Sequence, residues 1–165
     1  MCVVVSSKAP SLLHISWLLL CIFLLVANAI EVPTGAATDA PARDPYSHKA
    51  IAAKDYRGIT LNVLTLATQV LGEPTVLHAQ EFEKLTGATL HITRVPFNKL
   101  YQETLLGLRQ GKYDVLFFGS MWIADVQPYL EPLPGKMLES AQYRDVLPHY
   151  KRVASWGDTA YMVPI

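Results

Sequence analysis

Between Ile59 and Phe118 the chain alternates between short aliphatic runs and longer amphipathic ones, and no other feature constrains the fold as much. Ile59-Thr-Leu-Asn-Val-Leu-Thr-Leu66 is a β-branched and aliphatic run suited to a buried strand. Pro74 then opens a helical stretch to Thr86, with Val76, Ala79, Phe82 and Leu85 at three-residue spacing and Gly87 placed as the stop. The unit recurs: Thr89 to Val95 reads as a second strand. Phe97 to Gln110 reads as a second helix, with Phe97, Leu100, Tyr101, Leu105 and Leu108 on one face and Gly111 after it. Tyr113-Asp-Val-Leu-Phe-Phe118 is the third strand, and its consecutive apolar residues require cover on both faces, as in the middle of a parallel sheet.

This β-α-β-α-β order predicts an α/β fold: a mostly parallel open sheet with helices on both faces, joined by right-handed crossovers. Ligands of such sheets belong at the carboxyl ends of the strands. After Gly119, Ser120 is placed to cap a short helix through Val126, and Pro128, Pro132 and Pro134 break the next stretch into turns. Leu138 to Ala154 reads as helical in parts, interrupted at Pro148. A small hairpin is expected from Ala154-Ser-Trp156, a Gly157-Asp158 turn and Tyr161 to Ile165.

The segment before this unit has a different character. Lys8 precedes an apolar run from Leu12 to Ala29 that ends in Ala27-Asn28-Ala29, with small residues at the positions a signal peptidase reads. Residues 1–29 are therefore read as a signal peptide, cleaved before Ile30. A retained membrane anchor is the competing reading, but about 20 uninterrupted apolar residues are needed to span a bilayer and Ser16 and Asn28 break this run. Both cysteines, Cys2 and Cys21, lie in this segment, so the exported chain would rely on its core and not on disulfides. Residues 30–55, rich in Ala, Pro, Thr and Asp, read as a flexible leader, and 56–165 as the folded unit.

The chain's 165 residues leave room for one domain with a sizeable core, given that domains usually hold roughly 100 to 200 residues. Its 14 Lys and Arg balance its 14 Asp and Glu without a block of like charge, which argues against a nucleic-acid partner.

Three loops converge on the carboxyl edge of the expected sheet. They offer Thr68 and Gln69 after the first strand, Phe97 and Asn98 after the second, and Ser120 and Trp122 after the third. Hydrogen-bonding groups beside flat rings suit a polyol, whose hydroxyls need partners while its C–H faces stack on aromatics. Phe97 also fits core packing, Ser120 a helix cap, and Trp156 and Tyr161 either core or pocket. Asp114 heads the third strand at the opposite edge and reads as a turn or capping residue. Glu81 and Glu83 do not share a helix face and form no acid/base pair.

Signatures of enzymes are missing from the sequence. The first strand is followed by Leu-Ala-Thr-Gln-Val-Leu-Gly72, which is neither a dinucleotide fingerprint nor a Walker loop, and no Gly-x-Ser-x-Gly elbow occurs. His48, His78, His91 and His149 are scattered without metal-ligand spacing. No catalytic residue, metal or cofactor is expected.

The stretch from Tyr56 to Ile165 resembles the N-terminal portion of extracellular solute-binding proteins of family 1, the sugar-binding type that serves ABC importers. The resemblance rests on Leu-Asn-Val-Leu-Thr65, Glu-Phe-Glu-Lys-Leu-Thr-Gly87, Val-Pro-Phe97 with Leu-Tyr101, Gly-Lys-Tyr-Asp-Val115, Tyr-Leu-Glu-Pro-Leu133 and Ala-Tyr-Met-Val-Pro164. It implies a periplasmic-binding-protein-like lobe, one of two that close on a solute, with an ABC transporter membrane permease as partner and the periplasm as location. It places ligand contacts at Gln69, Ser120 and Trp122 and in the segment following Pro164; Tyr161, just before that segment, is kept as a further candidate contact. It also implies an incomplete lobe, because such proteins run well beyond this length; the chain reads as an N-terminal piece or a truncated product. The alternatives are a secreted α/β hydrolase or transferase fragment with its nucleophile or carboxylate pair elsewhere, or a non-functional relic.

Overall fold

The computed structural model describes residues 2–5 and 44–165. The apolar run from Leu12 to Ala29, the expected cleavage site and residues 30–43 of the expected leader lie outside the described residues.

The elements follow the chain as β1 (Cys2–Val5), α1 (His48–Ala52), β2 (Thr60–Leu66), α2 (Gly72–Thr86), β3 (Thr89–Val95), α3 (Phe97–Gln110) and β4 (Val115–Phe118). After a 3₁₀ turn at Ser120–Trp122 come α4 (Ile123–Val126) and a second 3₁₀ turn at Gln127–Tyr129. Next are α5 (Gly135–Leu138), α6 (Ala141–Asp145), α7 (Pro148–Val153), β5 (Ser155–Trp156), β6 (Thr159–Ala160) and β7 (Val163–Pro164). The main sheet has the order β3-β2-β4-β1-β7. β2 runs parallel to β3, with Thr60 opposite Thr89 and Leu66 opposite Val95, and parallel to β4, with Val63 opposite Val115. β1 runs antiparallel to both β4 and β7, so it alone opposes the direction of the sheet.

Period-2 alternation along the strands divides the core into two layers. Leu61, Val63, Leu90, Val115 and Phe117 point to one face and pack with Ala79 and Phe82 of α2, Ile51 of α1 and Met137 of α5. Leu64, Leu66, Leu116 and Phe118 point to the other and pack with Leu100 and Leu108 of α3, Val126 of α4, Ala154 and Met162. All four β4 residues are buried, as expected for a strand covered on both sides.

The boundaries of β3 and α3 coincide with those read from the sequence, and Gly87 and Gly111 close α2 and α3 in the left-handed conformation. Helix α2 starts two residues before Pro74, because Gly72 packs against the end of β2, where a side chain would run into the Leu66 carbonyl oxygen. Its buried face is Gly72, Thr75, Ala79, Phe82 and Thr86, whereas Leu85 is exposed. A strict three-residue spacing slips by about 60° per step, so a stripe of four such residues leaves the core, while mixed steps of three and four follow it.

The structure corrects several further expectations. The stretch read as a flexible leader is packed from Asp44 on: Tyr46 and Ile51 are each 1% exposed in the core beneath α2. Ser47 caps α1 by accepting from the Ala50 N–H at 3.3 Å, while Asp44 accepts from the backbone of Tyr46 at 2.9 Å and from Ala141 at the start of α6 at 3.2 Å. The break expected at Pro148 falls at Val146 and Leu147, between α6 and α7, and Pro148 itself starts α7, since a first-turn proline forfeits no intrahelical hydrogen bond. The hairpin is formed by β5 and β6, with Ser155 opposite Ala160. Val163–Pro164 leaves it to join the main sheet beside β1. Asp114 fastens the amino ends of β2 and β4, accepting from the Asn62 N–H at 2.8 Å while its own N–H donates to the Asn62 carbonyl.

Candidate functional site

The carboxyl ends of β2, β3 and β4 lie side by side and feed three short connections at one edge of the sheet. Past Leu66 the ladder continues one step, the Ala67 N–H donating to the Val95 carbonyl at 2.8 Å. The chain then turns through Thr68, whose carbonyl accepts from the Gly72 N–H at 2.8 Å and whose hydroxyl accepts from the Leu71 N–H at 3.3 Å. Beneath this turn the Thr75 hydroxyl donates to the Leu71 carbonyl at 2.6 Å and stands 3.4 Å from the buried Thr65 hydroxyl. These bonds fix the turn and leave the Gln69 and Val70 side chains facing water, with Val70 81% exposed.

The second and third connections meet. Pro96 sets the entry to α3, and its first turn displays Phe97 and Tyr101 one above the other, as positions four apart must be. Trp122 closes the 3₁₀ turn that follows β4. Its ring centroid lies 6.3 Å from Phe97, tilted 36°, and 5.1 Å from Tyr101, tilted 58°. Both distances lie within the range over which aromatic rings attract one another. The Tyr101 hydroxyl donates to Asp125 Oδ2 at 2.9 Å. That bond holds the phenol above its ordinary value, because loss of the proton would set a phenolate against the carboxylate.

Phe97 is 65% exposed, and its structural role in the core is thereby excluded. Asn98, beside it, is exposed as well. Ser120 does not cap the helix: the segment enters through a 3₁₀ turn whose cap position is held by Gly119, and no side-chain cap bond forms there. Ser120 is half-buried with its hydroxyl outside the capping scheme, and Met121 beside it is 74% exposed. Tyr161 packs on the outer side of the α3 core layer and accepts from Gln127 Nε2 at 2.9 Å. Trp156 belongs to the β5–β6 hairpin and is 48% exposed.

The structure thus joins Phe97 and Trp122 directly, sets Thr68, Gln69, Asn98 and Ser120 on neighbouring connections of the same edge, and ties Tyr161 to the end of α4. Two members of the cluster, Tyr101 and Asp125, escape the sequence reading. Tyr101 reads there as one residue of a helix face, although its position four after Phe97 was the available signal. Asp125 carries no local signal, because its partner is 24 residues away. Among the described residues no group of three or more His, Cys, Asp and Glu is assembled that would hold a metal ion, and no helix is long and apolar enough to cross a membrane.

No family model and no curated protein matches the chain. Among solved structures it is similar to an ABC transporter solute-binding protein from Agrobacterium radiobacter K84, determined in complex with ribitol. The TM-score is 0.55 and the identity 21%, over 64% of this chain and 28% of that one. The likeness is one of fold: the mixed α/β unit with its mostly parallel sheet matches a periplasmic-binding-protein-like lobe. The chain spans well under half the length of the protein it matches.

Proposed function

We propose that this chain is an exported solute-binding protein of an ABC import system, of the family-1 sugar type, and that it captures a sugar-like solute at the carboxyl edge of its sheet. The observation that carries this reading is the cluster of Phe97, Tyr101 and Trp122. Three aromatic rings gather where ligands of open α/β sheets bind, on a fold shared with a ribitol-bound solute-binding protein. Phe97 and Trp122 offer apolar surface for the C–H faces of a polyol, and Thr68, Gln69, Asn98 and Ser120 offer hydrogen bonds for its hydroxyls.

Capture needs no bond making, in keeping with the absence of an enzyme signature in the sequence. In this account the presequence ends at Ala29, residues 56–165 form the first lobe of the binding domain, and a permease receives the solute from the periplasm. Tryptophan fluorescence of the exported protein tests the proposal, because a solute stacked on Trp122 changes the polarity around its indole. A shift with polyols or sugars, abolished by Trp122→Phe, supports it. A flat response to every polyol and sugar, with a shift on addition of another solute class, discards the sugar assignment.

A further inference from the structure

The methionines of the described residues fall into two kinds. Met137 and Met162 are each 0% exposed, one in either core layer. Met121 is 74% exposed and stands between Ser120 and Trp122 in the turn that follows β4. Its side chain does not simply extend into water. The thioether lies back over Gly119, where an added Cβ would meet the Met121 sulfur before any other atom. Gly119 itself has φ −76° and ψ 130°, angles open to any residue, so what glycine provides here is room for the thioether and not a special backbone conformation.

A small oxidant reaches the Met121 sulfur directly, whereas Met137 and Met162 become accessible only when the core opens. Oxidation turns a flexible apolar side chain into a polar one with a bound oxygen. At Met121 that change falls on a sulfur seated against the main chain at the end of β4, one residue from the ring that meets Phe97 and Tyr101.

We propose that Met121 is an oxidation site and that its sulfoxide loosens the turn carrying Ser120 and Trp122. Hydrogen peroxide transfers one oxygen atom to the Met121 sulfur: the S–O bond forms as the O–O bond breaks, and the sulfur is oxidised by two electrons. Both peroxide protons end on the departing oxygen, which leaves as water. The polar sulfoxide turns into solvent and leaves its seat on Gly119, so the end of β4 loses that packing. A weakened capture of solute follows only if the solute reading above holds; the site of oxidation and its effect on the turn do not depend on it.

The test treats the full chain with hydrogen peroxide and follows peptide masses and tryptophan emission together. Met121 should gain one oxygen about tenfold or more faster than Met137 and Met162. A change in emission should keep pace with it and be absent in Met121→Leu, which retains the buried methionines and the thiols of Cys2 and Cys21 and so separates their oxidation from that of Met121. Similar rates at the three methionines overturn the proposal, as does an emission that stays constant while Met121 oxidises or changes equally in Met121→Leu. Titration with ribitol and other linear polyols before and after oxidation reads the consequence for capture, with affinity expected to fall about threefold or more. A reduced protein that binds none of them counts against the solute reading alone, whereas affinity that survives complete oxidation of Met121 counts against a loosened turn.

Discussion

Tyr101 and Trp122, 21 residues apart, meet with ring centroids at 5.1 Å and their planes at 58°, and Tyr101 is held in that position by its hydrogen bond to Asp125. A side chain from the first turn of α3 and one from the turn after β4 are thereby fixed against each other at the edge of the sheet. The contact explains how two connections of different origin can act as one surface.

Trp122 is expected to carry the largest share of solute affinity. Trp122→Ala should weaken binding by about tenfold or more, roughly 1.4 kcal/mol, and should also lower stability, because the partly buried ring packs on the α3 core layer and on Tyr101. Gln69→Ala should weaken binding less and leave the melting temperature unchanged, since its side chain faces water. Isothermal titration and a melting curve for each variant separate the two effects. Loss of stability without loss of affinity in Trp122→Ala would make the residue a packing element.

The Tyr101 phenol should titrate above the ordinary value of 10.0, and Asp125→Asn should bring it down. A group protonated more readily in the folded state stabilises below its unfolded value and loses that contribution as pH rises through the folded one. Ultraviolet difference titration reads the phenol directly. An identical curve in Asp125→Asn would mean that the bond to Asp125 does not persist in solution.

Glu103 accepts from Lys112 Nζ and from the Tyr113 hydroxyl, both at 2.6 Å, and these bonds hold its carboxyl below the ordinary 4.5 while raising the Lys112 ammonium to about 12. Glu103 therefore stabilises the fold above its unfolded value, and that contribution disappears as pH falls through the lower, folded one. Lys112 is half-exposed, so the contribution is about 1 kcal/mol or less. Glu103→Gln should flatten the acid limb of a stability-versus-pH curve between about pH 5 and pH 3. Parallel curves for the two proteins would exclude the cluster as a source of acid sensitivity.

Gly72→Ala should destabilise the fold although alanine is the better helix former, because a methyl group there meets the main-chain oxygen of Leu66 and β2 would have to shift. The expected cost is about 1 to 3 kcal/mol in denaturant unfolding. A neutral or stabilising outcome would show that the start of α2 relaxes freely.

Much of this architecture was legible from local pattern. β3 and α3 are bounded as the sequence predicts because strand propensity, helical periodicity and Gly111 agree there. α1 was not legible, since a five-residue helix among prolines and alanines has no period to detect; its place is set by Tyr46 and Ile51 reaching a core built much later in the chain. β1 was hidden for a different reason, because Cys2–Val5 sits in a stretch whose composition reads as an export signal. At the site, Phe97 and Trp122 stood out as large rings beside strand ends, while Asp125 gains its role only through the distant Tyr101.

The most direct measurement is isothermal titration of the exported, full-length protein with ribitol and a panel of linear polyols and sugars, repeated on Trp122→Ala. The account predicts saturable binding of at least one of them at one site per chain, weakened about tenfold or more in the variant. A folded protein that takes up none of them, or binds one equally well without Trp122, would contradict it.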